Sequence, residues 1–110
     1  MYLVRCIQRG EEAKFVDQLG ADADVILPLP VVPRRSFDRV AVIHRDRVLG
    51  YELDHVERVD EDIPVGSRGV PVVKAKSLIH VKQKPPRRGK ARITGFQGIR
   101  YVARWADVAQ

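Results

Sequence analysis

Valine and isoleucine recur along this chain in short runs, which proline, glycine and charged residues interrupt. β-Branched side chains favour extended strands, and runs this short do not form long helices. With 110 residues the chain has room for one hydrophobic core, so we expect a single domain over residues 1–110. The pattern predicts a mainly β (α+β) fold, a small barrel or curled sheet of five to seven strands with one or two short helices.

A hairpin in the middle of the chain is the clearest local prediction. Val40 to His44 forms one strand, Arg45 to Arg47 a polar turn, and Val48 to Leu53 the returning strand. Gly50 inside the returning strand predicts a bulge or a close backbone approach. From Leu53 onward the apolar residues Leu53, Val56 and Val59 recur every third position instead of every second, which a bulge or sharp bend explains.

The remaining elements follow from periodicity and from proline and glycine positions. Val25 to Pro33 contains three prolines, which an extended edge segment tolerates and a central strand does not. Val72 to Val81 alternates apolar and basic residues, as a half-buried strand does. The other predictions are a first strand at Tyr2 to Gln8, a short amphipathic helix at Glu11 to Leu19, loops at Asp60 to Gly66 and Lys84 to Lys90, short strands at Ala91 to Ile93 and Ile99 to Val102, and a last turn or strand at Trp105 to Val108.

Charge divides the chain unevenly. Residues 1–62 hold nine lysines and arginines against thirteen acidic residues, whereas residues 63–106 hold eleven lysines and arginines and no acidic residue. An asymmetry of this kind favours a polyanionic partner, although a basic protein without any ligand for its charge is the ordinary alternative.

Nucleic acid fits this charge best, because each neutralised phosphate releases condensed counterions. The glycine-flanked pair Phe96–Gln97 adds a ring that can stack on a base and an amide that can read a base edge, unless Phe96 is buried in the core. The predicted nucleic-acid-binding residues are Arg34, Arg35, Lys74, Lys76, Lys82, Lys84, Arg87, Arg88, Lys90, Arg92, Phe96, Gln97 and Arg100.

Catalytic and metal chemistry have weaker support. Cys6 is the only cysteine, so an internal disulfide and a Cys-based zinc site are excluded. The three histidines lack metal-ligand spacing, and we expect no catalytic residue and no cofactor. The one hydrolase combination to test is Lys74 with Thr94 and Glu52. The first residues do not resemble a signal peptide and no apolar run could span a membrane, so we expect a cytoplasmic protein.

Two segments carry a resemblance to a known group of domains. The hairpin region Arg39 to Val59 is similar to the central hairpin of PUA-like domains of the ASCH and EVE groups, and Gly95 to Val102 resembles their closing strand. The resemblance implies a small pseudobarrel that binds RNA or recognises modified bases in a cleft. The chain lacks the glycine-lysine-lysine segment that ASCH domains often carry after the first helix, which argues against the amidohydrolase activity of some relatives.

We therefore expect a non-catalytic binding module for nucleic acid, RNA rather than DNA. Two alternatives stay open: a small hydrolase acting on a modified nucleoside, and a protein-interaction subunit with an acidic partner.

Overall fold

The computed structural model describes residues 1–8, 10, 25–29, 31–65, 70–82, 87–93, 95–96 and 98–110, with the backbone alone at 25, 61–65 and 70–74. The helix predicted at Glu11 to Leu19 lies outside these residues. Within the described residues, seven strands and a short 3₁₀ helix make up the regular structure, which confirms the mainly β prediction. Their bounds are β1 Tyr2–Cys6, β2 Val25–Leu29, β3 Arg39–His44, β4 Arg47–Val65, β5 Val70–Val81, β6 Arg87–Lys90, β7 Ile99–Val102 and the 3₁₀ helix Trp105–Asp107.

The strands form one mixed sheet in the order β2-β5-β4-β3-β1-β7, with β6 paired to β4 off this path. The pair β1 and β3 is parallel, and the other ladders are antiparallel. Among the described strands, β2 and β7 end the order without pairing with each other, so the sheet is curled and open rather than a closed barrel.

Strand β4 organises the molecule because it pairs with three other strands. Its first residues pair with β3 on one edge and with β6 on the other, while its remainder pairs with β5. The register shifts between Leu53 and His55, which confirms the predicted bulge. Lys82 N donates to the Glu52 carbonyl at 2.9 Å, so β5 and β6 lie end to end along the same edge of β4.

Two predicted loops are strands over the residues that the structure describes. Asp60 to Gly66 was expected to be a loop, but β4 continues to Val65 because β5 supplies the backbone partners. Lys84 to Lys90 was expected to be a loop tip, but Arg87–Lys90 forms β6. The strand predicted at Ala91 to Ile93 is reduced to one bridge between Ala91 and Ala109. Pairing to distant segments overrides local propensity at these positions.

Both faces of the central strands are buried. One core cluster joins residues of β1 and β3 to residues of β2 and β5, which shows that the sheet folds back on itself. The second cluster covers the opposite face with the C-terminal segment. The first contains Leu3, Val40, Val42, Leu27, Leu29 and Ile79; the second contains Tyr2, Val4, Ala41, Ile43, Val48, Phe96 and Val108. No helix in the described part of the chain is both long and apolar enough to cross a lipid bilayer.

Candidate functional site

A row of side chains from neighbouring strands lies at one end of the face that the C-terminal segment covers. Tyr2 is the ladder partner of Arg39, and Arg39 is the ladder partner of Glu52. Two residues before Glu52, Gly50 is the partner of Arg87. These residues, with Lys82 and the backbone at Tyr51, line a cleft of about 280 Å³, which we call the basic cleft.

Arg39 is held at the rim of the basic cleft by Tyr2. Its guanidinium donates to the Tyr2 hydroxyl at 3.4 Å and lies 5.6 Å from the centre of that ring. The hydrogen bond to Tyr2 raises the pKa of the Arg39 guanidinium. Tyr2 itself is only 3% exposed, so it positions the arginine from within the core.

Trp105 packs against three residues that line the basic cleft, namely Tyr2, Gly50 and Arg87. A β-carbon at Gly50 would overlap Cζ3 of the indole ring, so the ring lies directly on the Gly50 backbone. A β-carbon at Gly89 would lie 3.3 Å from Trp105 Cζ2. The Tyr2 ring is tilted against the indole at 5.8 Å, and the Arg87 guanidinium lies 4.8 Å from the centre of the indole. The predicted close approach at Gly50 is confirmed.

Lys82 and Glu52 complete the lining of the basic cleft, and both side chains are exposed. Lys82 lies where β5 ends and the chain runs on toward β6, with its backbone bonded to Glu52. The basic cleft therefore gathers Arg39, Lys82 and Arg87 from three separate segments, with Glu52 as the only carboxylate among its described lining residues.

Strand β6 extends the positive charge beyond the basic cleft. Its partners in β4 are Arg47, Val48, Leu49 and Gly50, so no carboxylate lies opposite its cations in the ladder. Arg88 and Lys90 are exposed and alternate with Arg87 and Gly89 across the strand. We call Arg88 and Lys90 the β6 edge.

The hairpin of β4 and β5 shows the opposite pattern. Its ladder places Glu61 opposite Lys74, and the Glu57 carboxylate is 2.9 Å from His80 Nε2. The acidic and basic parts of the sequence thus face each other in this hairpin. The described ladder of β5 thus includes acidic partners in β4, whereas the ladder of β6 includes none.

Other predicted binding residues lie away from the basic cleft. Arg34 lines a second groove of about 710 Å³ with Arg58, Ile99 and Tyr101, and Arg35 lies 5.6 Å from the Tyr101 ring centre. Ile99 and Tyr101 pack on the first core cluster, so this groove is on the opposite face of the sheet.

The predicted Phe96–Gln97 turn is only partly described. Phe96 is 7% exposed and belongs to the second core cluster, which favours its core alternative. Arg100 lies 4.6 Å from the centre of the Phe96 ring, on the sheet face that packs against this ring. Gln97 lies outside the described residues.

Three predicted binding residues remain: Lys74 and Lys76 on β5, and Arg92 just after β6. Arg92 is exposed and donates to the Ala106 carbonyl at 3.0 Å. Lys76 is half-buried on β5, whereas Lys74 is described by its backbone alone. Lys84 lies outside the described residues.

The hydrolase combination is not brought together. Lys74 pairs with Glu61, nine residues along β4 from Glu52. At about 3.3 Å per strand residue, roughly 30 Å of strand separates the two backbones. Thr94 lies outside the described residues. Lys74 and Glu52 therefore do not share one pocket.

Two histidines form a separate cluster at the bulge in β4. The rings of His55 and His80 stack with centres 4.1 Å apart, and each ring contacts a carboxylate. Within the described residues, no group of three or more His, Cys, Asp or Glu side chains could hold a metal ion.

The sequence did not predict that four residues would come together at this site. They are Tyr2, Arg39, Glu52 and Trp105. Their convergence depends on pairing between segments far apart in the chain. The one local signal was Gly50, whose missing side chain permits another group to approach the backbone closely.

Comparison of the chain with protein-family models, curated proteins and solved structures finds no match.

Proposed function

We propose that this protein is a non-catalytic module that binds single-stranded RNA along the basic cleft and the β6 edge. The observation that carries the proposal is the convergence of Arg39, Lys82 and Arg87, from three segments, beside a half-buried tryptophan. Phosphate contacts give affinity without sequence specificity, and aromatic walls add stacking with any base.

The location of uncompensated charge supports the same surface. The net charge of the chain is +6. In the hairpin of β4 and β5 the basic strand faces an acidic one, whereas the β6 ladder contains no carboxylate. A phosphate backbone is therefore attracted more strongly to β6 than to β5.

The mainly β fold is compatible with the resemblance to PUA-like domains, whose implied activity is also RNA binding. Membership of that group stays a prediction.

The test compares two double charge reversals that change the net charge equally. Arg88→Glu/Lys90→Glu alters the β6 edge without touching Trp105, whereas Arg34→Glu/Arg35→Glu alters the second groove. Binding of a fluorescent single-stranded RNA is measured by anisotropy at several salt concentrations. Circular dichroism and Trp105 emission verify that each variant is folded.

We expect the β6 variant to lose at least about tenfold in affinity and its salt slope to fall by about 0.7 per lost phosphate contact. The groove variant retains affinity within about threefold, because its arginines belong to a separate groove whose described lining residues include none of β6. Equal losses in both variants would mean that bulk charge alone drives binding. If the wild-type chain binds no nucleic acid but retains an acidic protein after nuclease treatment, the protein-interaction alternative replaces this proposal.

A further inference from the structure

A carboxylate is unexpected in a cleft whose other charged side chains attract phosphate. Glu52 is exposed and lines the basic cleft together with Arg39, Lys82 and Arg87. Its negative charge weakens the binding of any bare phosphate there. An ionised carboxylate can only accept hydrogen bonds, so a ligand that contacts it must offer a donor.

Pairing with Arg39 accounts for part of this arrangement. The two residues are ladder partners on adjacent strands, and opposite charges in such positions stabilise a sheet modestly. A carboxylate has about four lone-pair sites, so it can accept a hydrogen bond from a ligand while it also interacts with neighbouring protein groups. The cross-strand pair therefore presents a cation and an acceptor side by side, with roughly 5 Å between their β-carbons.

One repeating unit of RNA has the complementary arrangement. In a ribonucleotide the 2′-hydroxyl lies on the carbon next to the one that bears the 3′-phosphate, so donor and anion are neighbours. Donors on base edges differ from base to base, whereas the 2′-hydroxyl occurs on every ribonucleotide and on no deoxyribonucleotide.

We infer that the basic cleft holds one ribonucleotide unit and that Glu52 distinguishes RNA from DNA by accepting the hydrogen bond of the 2′-hydroxyl. This inference rests on the proposed nucleic-acid binding. Arg39, Lys82 and Arg87 contact the adjacent phosphate, and the volume of about 280 Å³ limits the cleft to a single unit.

The absence of a side chain at Gly50 lets the indole of Trp105 pack directly on the floor of the cleft. Trp105 occupies the adjacent side, where it contacts Gly50 and Arg87. The contacting groups thus come from β1, β3, β4, β6 and the C-terminal turn, so the site depends on the tertiary fold.

The experiment uses single-stranded oligouridylate of about 12 nucleotides, within the length that one small domain covers. Three versions are compared: ribose, 2′-deoxyribose and 2′-fluororibose. The fluoro version retains the sugar pucker of RNA but has no donor. The variant is Glu52→Gln, and the matched control is Asp54→Asn, an exposed carboxylate of β4 outside the cleft.

For the wild-type chain we expect about tenfold tighter binding of the ribose version than of the other two, the discrimination that one hydrogen bond to a charged acceptor supplies. Glu52→Gln reduces this ratio to below about threefold, while Asp54→Asn retains it. A ribose preference unchanged by Glu52→Gln overturns the inference.

Two further outcomes separate the inference from the proposed function. Salt-dependent binding of all three versions with equal affinity overturns the role of Glu52 and leaves nucleic-acid binding intact. Failure to bind any version overturns both. Equal binding of the ribose and fluoro versions, with weak binding of the deoxy version, also overturns the inference, since sugar shape is then recognised instead of the donor.

Discussion

Gly50 and Trp105 provide the most direct test of the packing that builds the basic cleft. A β-carbon at Gly50 would overlap Trp105 Cζ3 and would lie 3.1 Å from both Cε3 and Cη2. Carbon atoms in favourable contact are about 3.5–4.0 Å apart, so Gly50→Ala must displace the ring by about 1 Å or more. Gly50 is not among the described glycines with positive φ, so alanine fits the backbone and the cost arises from packing alone.

The expected loss can be estimated from this displacement. Overpacking a filled site costs about 1–3 kcal/mol, and moving the indole also weakens its contact with Arg87, which is worth about 0.5–1 kcal/mol. We therefore expect Gly50→Ala to lower the free energy of unfolding by about 2–3 kcal/mol. For a domain of this size the melting temperature falls by about 10 °C.

The assay is urea unfolding followed by far-ultraviolet circular dichroism and by the emission of Trp105, the only tryptophan in the chain. A lower midpoint with an unchanged m-value identifies a loss of stability. The control is the same substitution in a Trp105→Leu background, followed by circular dichroism. Without the indole the overlap disappears, so we expect a coupling energy of at least about 1.5 kcal/mol between the two positions. An equal cost in both backgrounds would refute the packing that we describe.

Three further predictions concern stability elsewhere. Arg45 has φ 58° in the hairpin turn, so Arg45→Gly should be about 1 kcal/mol more stable than Arg45→Ala in thermal unfolding; the reverse order would exclude strain at this position. The ammonium group of Met1, 2.9 Å from Asp38, lowers the pKa of that carboxyl below 3.8. The wild type should therefore be more stable than Asp38→Asn at pH 6, and the difference should vanish as the pH falls through the lowered pKa. Ile79 is fully buried, whereas its ladder partner Val56 is 39% exposed, so Ile79→Ala should cost about 2–5 kcal/mol and Val56→Ala under about 1 kcal/mol in urea unfolding. Equal costs would contradict the difference in burial between the two positions.

Local sequence patterns determined the strand content and several elements of this protein. The turn at Arg45 and Asp46 is confirmed with its flanking strands, and the alternation in Val72 to Val81 correctly predicted that Ile79 and Val81 face the core. These features depend on neighbouring residues, whose side chains alternate between the two faces of a strand.

The predictions for other segments were wrong because the conformation of these segments depends on a distant partner. Nothing local predicts a strand in Arg87–Lys90, which is basic and follows two prolines. It becomes a strand because the first part of β4 offers it unpaired backbone groups.

The acid-free stretch itself was visible in the sequence, and it directed attention to a basic surface. Only the tertiary structure decided which of its cations are compensated by acidic neighbours and which lie beside Trp105. The tertiary structure also brings Arg39 and Glu52, from the other half of the chain, into the same cleft as Lys82 and Arg87. The physical reason is that a ladder register joins residues that are far apart in sequence, whereas the period of a strand shows only which residues share a face.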